Sequence, residues 1–467
     1  MIKKLFFIFF CALSISSNAQ CYTDIAFGGA HTTARKADGT LWGWGFGAWG
    51  ELLTTNETEP LPVQLGTATD WNYITNGVVN TFVIKNNGTL WGCGSNQLGS
   101  LGVNSNTQSF ASFQQITTAE DWVKVSASYF FTLALKADGT IWAWGQNDLY
   151  QLGNPPATAQ QLFPIQVGTA SDWADIASGT SDTAFAIKSN GTIWGWGANP
   201  SSIIVPGSST QSVTTPTQVG TDTDWAKMSV GGAHILAQKT DGTLWSWGGG
   251  SALGVGGTPS VTNIPQQISA DLWKSFSAGT GTSFGVKADG TLWAWGVNIN
   301  GQLADGTSVN RTIPTQIGTD TNWSTVKAGK FSPAVATKTD GSVWYWGLNY
   351  YGEFGNGSSY GTSYYSSPQQ TAGVCVNSLA LPDFGKEASF AIYPNPAKDG
   401  VTVRYDSGTA NAQIAVFDMA GRNVGRNVQL SPDGEIQIDT SNYAAGMYMV
   451  VVRQDGLRVA QKKLVIE

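Results

Sequence analysis

Two histidines, His31 and His234, are the first residues to weigh for chemistry, because imidazole is the side chain whose ordinary pKa suits proton transfer near neutrality. Each lies seven residues before an Asp-Gly-Thr triplet, at Asp38 and Asp241. The same offset holds Asn80, Phe131, Thr183, Thr282 and Pro333 before five sister triplets. A position that accepts Phe and Pro is a repeat position, not a general base, and two histidines several repeats apart do not share a metal. The triplet carboxylates recur at Asp38, Asp138, Asp241, Asp289 and Asp340, with Asn87 and Asn190 in the other two. Asn substitutes freely there, so these are turn formers and not an acid–base pair. No phosphate-cradling glycine loop, zinc-ligand spacing or GxSxG elbow occurs. The expectation is a chain that is not an enzyme, with no catalytic residue, no metal site and no cofactor.

The triplets belong to a longer unit. "ADGTLWGWG" returns as "NNGTLWGCG", "ADGTIWAWG", "SNGTIWGWG", "TDGTLWSWG", "ADGTLWAWG" and "TDGSVWYWG", at intervals of 49, 51, 52, 51, 48 and 51 residues. A period of this size marks a radial or stacked architecture, and its length fits a four-stranded propeller blade. "FTLALK" before a triplet and "TIWAW" after it alternate apolar side chains with a period of two, so each unit contains a hairpin. Asp-Gly and Asn-Gly tolerate positive φ at both central positions, which predicts a tight two-residue turn. Tryptophans at 71, 122, 173, 225, 273 and 323 precede the triplets by 16 or 17 residues, and strands such as "PIQVG" and "PTQVG" stand further upstream. Four strands per unit and seven units predict a closed ring. Nineteen of twenty tryptophans fall in this register, and packing explains them: each buries on the order of 200 Å².

Composition narrows the partners. Residues 1–19 carry Lys3 and Lys4, an apolar run and small residues at Ser17 and Ala19, the pattern of a cleaved signal peptide; no later run is long enough for a transmembrane segment. Without those two lysines, 23 basic face 32 acidic side chains, and the last 79 residues hold eight of each sign. The whole imbalance lies before them, which excludes nucleic acid as a partner.

The order W-x-x-V-x-A-G, alternating strand, DGT, WxWG and "NxxGQLG" resembles the regulator of chromosome condensation repeat family. "GVNINGQLADG" (296–306) and "GGAHILAQKTDGTLWSWG" (231–248) carry the pattern best. The resemblance implies a seven-bladed β-propeller over residues 20–375. Blade four departs from it, with "NPSSIIVPGSS" in place of the usual loop. Nuclear members of the family act as exchange factors and contact chromatin; an exported acidic chain meets neither partner, and fold does not carry function across. Exported bacterial propellers of similar repeat that inhibit β-lactamases through rim aromatics are the nearer analogy, for protein capture in general.

The chain enters and leaves the ring within a unit, so the two ends are expected to share one blade. Tyr22 stands where other units have Trp, and Cys21 where they have Asp. The spacing from Pro368 brings Cys375 beside it, and a Cys21–Cys375 disulfide is expected in an exported protein. Cys93 takes a Trp position and reads as a buried small hydrophobe. Trp49 alone among the tryptophans leaves the register. It aligns with Leu98, Leu149 and the pair Tyr350 and Tyr351, an expected binding arc along one rim for an unknown extracellular protein. One alternative is a glycan-binding or adhesive module stacking sugars on Tyr350, Tyr351, Tyr360 and Tyr365; another is an enzyme with a site at the propeller centre.

After a linker at 376–388, residues 389–467 lack Trp and Cys and alternate in six or seven short strands, a small Ig-like β-sandwich. "YPNP" (Tyr393, Pro394, Asn395, Pro396), "DMAGR" with Gly421, "YAAGMYMVVV" with Gly446 and Tyr448, and "KKLVIE" with Lys462 and Lys463 resemble the type A sorting domain of the type IX secretion system. That resemblance implies the secretion machinery and a sortase-like protease as partners, and a final location at the cell surface or in the medium. The expected fold class is all-β: a seven-bladed β-propeller followed by the sandwich, serving as an exported noncatalytic binding platform.

Overall fold

A computed structural model describes residues 22–154, 159–257, 261–331, 333–358, 364–375, 390–405, 412–418, 424, 428–429, 435–454 and 457–466. The chain divides into two compact units, 1–380 and 381–467. The first is the ring. In blade one, strands β1 (Tyr22–Phe27), β2 (His31–Lys36), β3 (Leu41–Phe46) and β4 (Thr58–Gln64) pair antiparallel in chain order. Six further sets of four strands repeat this arrangement, and the first strands of successive blades pack on one another around the axis.

The triplet builds its hairpin as a hydrogen-bonded unit. Asp38 Oδ1 accepts the Thr40 amide (2.9 Å) and the Thr40 hydroxyl (2.7 Å), and Thr40 Oγ1 accepts Trp42 Nε1 at 3.0 Å. The other six blades repeat all three bonds, with Asn or Asp as acceptor and Ser342 once in place of Thr. The turn itself corrects the expectation. Gly39 donates its amide to Lys36 O (3.0 Å) and Lys36 donates to Thr40 O (2.9 Å), a three-residue loop. Only the glycine has positive φ, +80° at Gly39; none of the seven Asp or Asn does. The carboxylate, committed to the amide and hydroxyl two residues on, favours a type I turn that the glycine then closes.

Blades are joined by the second Trp of each WxW. Trp44, Trp144, Trp196, Trp247, Trp295 and Trp346 are all fully buried. Five of them donate Nε1 to a loop carbonyl of the preceding blade: Trp144 to Ser100, Trp196 to Gln151, Trp247 to Ile203, Trp295 to Ala252, and Trp44 to Glu353. The last bond runs from blade one to blade seven and closes the circle with the same contact used everywhere else. Lys327 Nζ reinforces it, donating to Ile25 O at 2.6 Å. Blade two has Cys93 in the Trp position, and its thiol reaches Glu51 O at 3.6 Å, a weak donor in the indole's place.

Ring closure differs from expectation. Among the described residues no blade mixes the two chain ends: blade one is β1–β4, and the last blade takes its four strands from Trp323–Ala328, Ala334–Lys338, Ser342–Leu348 and Tyr364–Cys375. Tyr22 opens an inner strand of its own, because the outermost strand of every blade comes from the segment after its own rim loop. One other irregularity has a local cause. The outer strand of blade five runs on into the inner strand of blade six as Val261–Ala278. Four other blades turn this corner at a positive-φ glycine (Gly66, Gly168, Gly220, Gly318), where blade five has Ser269 and one residue fewer before its Trp.

A lysine was the repeat element that pattern reading passed over. Lys36, Lys85, Lys136, Lys188, Lys239, Lys287 and Lys338 each stand two residues before the triplet acid or amide. Lys136 Nζ lies 4.8 Å from the Trp122 ring and 4.9 Å from the Trp142 ring, and 3.0 Å from Asp121. Blades two and four to seven repeat the sandwich and the ion pair. In blade one, Lys36 lies 3.7 Å from Trp42 and 5.5 Å from Tyr22.

The C-terminal unit has a three-stranded sheet (Phe390–Tyr393, Gly400–Tyr405, Glu435–Asp439) and a four-stranded sheet. Val401, Val403, Ile414, Val416, Val450 and Leu464 form its core. Asn395 Oδ1 accepts the Val465 amide (2.9 Å) and Tyr393 donates its hydroxyl to Glu435 (2.6 Å), so the "YPNP" turn is tied to the last strand and to a neighbouring one. Tyr448 donates to Ala444 O at 2.8 Å, and Gly446 opens that strand. Pro394 and Pro396 are exposed, and Lys462 and Lys463 lie on the last strand opposite Val450 and Met449. Gly421 lies outside the described residues.

Candidate functional site

Antiparallel pairing sorts the connections to two ends of the blades. At one end lie the triplet hairpins and the short links to the next blade. At the other lie the inner turns, such as 28–30, and the long rim loops, such as 47–57. The hairpin end is repetitive and internally bonded, so sequence variation in side chains free to meet another molecule concentrates at the loop end.

The rim loops have a common frame. An Asn at the loop start (Asn96, Asn147, Asn199, Asn298, Asn349) accepts through Oδ1 the amide of Leu101, Leu152, Ile204, Leu303 or Phe354. Blade four keeps this bond despite its altered sequence, with Ile204 seated where Leu or Phe stands in the others. A second carboxyl or amide group pins the loop tip: Glu51 Oε2 accepts the Trp49 amide, Gln151 Oε1 that of Leu149, Gln302 Oε1 that of Asn300 and Glu353 Oε2 that of Tyr351, each at 2.9 Å. Of the expected arc residues, Trp49, Leu149 and Tyr351 therefore occupy equivalent, backbone-anchored positions. Trp49 is 39% exposed, Leu98 40% and Tyr350 37%; Leu149 and Tyr351 are half-buried. Tyr351 stacks edge-on against Phe46 of blade one (4.8 Å) and against Tyr350 (4.7 Å), so part of its ring packs over the neighbouring blade. Tyr365 packs on Phe354 at 5.2 Å, and Tyr360 lies outside the described residues.

Glu51 and Glu353 are unusual carboxyl groups. Both are buried, Glu51 completely, and Glu51 Oε1 has no hydrogen-bond partner among the described residues. Burial pushes Glu51 up to about 8 and Glu353 up to about 7. Both hold their proton at neutral pH or close to it, which makes them stand-ins for Gln151 and Gln302.

The inner turns carry residues that the repeat pattern did not single out. Tyr129 and Phe130 of blade three lie 4.4 Å apart, and Tyr129 lies 6.5 Å from Phe331 of blade seven. Rings from non-adjacent blades thus meet over the mouth of the axis, and Phe331 remains 49% exposed. The ring-bearing residues were legible: "SYFF" and "GKF" put aromatics where the other units have none, with Gly, Ala, Val, Thr, Ser or Asp instead.

The residues weighed for chemistry are buried connectors. His31 Nε2 pairs with Thr81 Oγ1 (3.1 Å) and His234 Nε2 with Ser283 Oγ (2.8 Å), each on the next blade. Burial lowers them to about 3 and about 4, so both are neutral. Cys93 is buried, and burial raises its thiol well above the ordinary range. Among the described residues no group of three or more His, Cys, Asp or Glu is placed to hold a metal, and no helix is long and apolar enough to cross a membrane. Cys21 lies outside the described residues; Cys375 pairs with Ser342 at the hairpin end of blade seven.

Known proteins agree with this architecture. The regulator of chromosome condensation (RCC1) repeat matches residues 122–151, 138–186 and 289–332, and the secretion system C-terminal sorting domain matches 391–467. The mitochondrial RCC1 domain-containing protein RUG3 of Arabidopsis thaliana is 27% identical over 272 residues, covering 52% of this chain and 58% of that protein. The ultraviolet-B receptor UVR8 of the same plant is 27% identical over 182 residues, covering 38% and 41%. The chain thus spans 58% of the length of the first of these relatives and 41% of the second. Among solved structures, human WBSCR16 superimposes with a TM-score of 0.61 at 18% identity, covering 68% of this chain and 87% of that one. Prp20p of Saccharomyces cerevisiae gives 0.57 at 20%, covering 67% and 81%. This chain carries RCC1-type repeats in a β-propeller and a type IX secretion sorting domain at its C-terminal end. The sorting domain marks it for export to the cell surface or the medium, with the secretion machinery as its partner.

Proposed function

We propose that the protein is a noncatalytic capture platform: residues 1–19 are a cleaved leader, 20–375 the propeller, 376–388 a linker, and 389–467 the sorting domain removed by a sortase-like protease. The propeller holds an extracellular protein on its loop end. The observation that carries this is the contrast between the two ends of the blades. One end spends its polar groups on seven repeated hairpins; the other presents Trp49, Leu98 and Tyr350 to solvent on loops whose backbone is anchored by buried side chains. Exposed aromatics on a pre-organised backbone bind with little loss of conformational entropy. A family whose folds serve binding and regulation, and a tail for export, support the same reading. Crosslinking pull-downs from culture medium with the full exported chain test it. Charge substitutions Trp49→Glu and Tyr351→Glu should abolish recovery of a specific protein; recovery unchanged in a folded double variant refutes the assignment.

A further inference from the structure

Between the rim loop of blade two and the inner turn of blade three lies a pocket of about 330 Å³. Its lining combines Phe130 and Leu98 with five amide residues, Asn96, Gln97, Asn106, Gln108 and Gln160, of which Asn96 is committed to the loop backbone, and includes no charged residue. We propose that this pocket binds a neutral saccharide unit. An amide offers both a donor and an acceptor, which matches a pair of adjacent hydroxyls, and a phenyl face packs against the C–H side of a pyranose. An ionic ligand would leave its charge unpaired among these groups, at a cost that the pocket does nothing to offset.

The ring of Phe130 is not required by the blade. The equivalent position, whose carbonyl bonds the end of the third strand, holds Ala30, Val79, Asp182, Ala233 and Gly281 in other blades. Phe130 is held firmly all the same: its carbonyl accepts the Gln146 amide at 2.9 Å, and Ser128 Oγ on the same turn donates to Gly179 O at 2.7 Å. Rings continue from Phe130 through Tyr129 toward Phe331 at 4.4 and 6.5 Å, a track on which neighbouring sugar units of an oligosaccharide can lie. The site shares only Leu98 with the protein-capture arc, so either assignment can fail alone.

The test uses the full exported chain with maltotriose, cellotriose, mannotriose and chitotriose, and with trigalacturonate as the charged comparison, followed by saturation-transfer NMR and calorimetry. At least one neutral trisaccharide should bind, with an affinity insensitive to salt. Phe130→Ala should weaken it about tenfold, Phe130→Trp should keep it, and Asn106→Ala or Gln108→Ala should weaken it severalfold. Ala30 and Ala233 occupy the same position, so Phe130→Ala should keep the wild-type melting temperature. Trp49→Glu and Tyr351→Glu should leave saccharide binding intact. Absence of binding by every neutral sugar, tighter binding of trigalacturonate, or an affinity unchanged by Phe130→Ala overturns the proposal.

Discussion

Replacing Glu51 with Gln should stabilise the propeller in alkaline solution and do little in mild acid. Glu51 is fully buried, its Oε2 holds the Trp49 amide, and Oε1 has no partner among the described residues. Its folded pKa of about 8 lies above the ordinary 4.5. Between those values the native state keeps a proton that the unfolded chain has released, so stability falls as pH rises through the window. The full span is worth about 5 kcal/mol at 1.36 kcal/mol per pK unit, an upper bound because water entering the loop would relax it. Gln carries no titrating proton, and the fold already accepts it at 151 and 302. At pH 5 the variant and parent should melt together; at pH 8.5 the variant should melt higher by about 5 °C, the shift expected when a few kcal/mol act on a domain of this length. Thermal melts and urea titrations from pH 5 to 9 measure it. Parallel pH profiles would refute the reasoning, because they require Glu51 to ionise as freely in the ring as in the unfolded chain.

His31→Asn, which copies Asn80, should flatten the acid limb. His31 and His234 have folded values lowered to about 3 and about 4, so the native state binds fewer protons than the unfolded chain between those values and 6.5, and stability is lost as pH falls through that range; denaturation at pH 4 and pH 7 reads it. Lys136→Met keeps the stem but removes the ammonium from between Trp122 and Trp142, and should cost about 1–2 kcal/mol in urea melts, with little dependence on salt because the ammonium is largely buried. Trp144→Phe should cost about 2–3 kcal/mol, since it leaves Ser100 O without its indole donor and opens space in the core. A Cys21–Cys375 disulfide should appear as two non-alkylatable cysteines on non-reducing peptide mapping, and Cys375→Ser should lower stability by up to about 5 kcal/mol for so long a loop.

Period and composition determined the blade count and the all-β class, because a seven-fold repeated hairpin leaves its mark in local residue order. "DGTxW" was legible as a turn, since Asp, Thr and the indole bond to one another within five residues. Its geometry was not, because an Asp that tolerates positive φ does not have to adopt it once its carboxylate is committed to the amide and hydroxyl of Thr40. Closure was misjudged for a similar reason: offsets within a repeat do not say which strand lies outermost, and only the pairing of Tyr22 with Lys36 and the Trp44–Glu353 bond place the ends in separate blades. The lysine ladder was visible in every unit but gained meaning only when Trp122 and Trp142, twenty residues apart, closed on Lys136. The raised carboxyl groups of Glu51 and Glu353 and the meeting of Tyr129 with Phe331 belong wholly to the folded ring. Burial and contact between distant blades are properties of the closed circle, and local residue order has no means of expressing them.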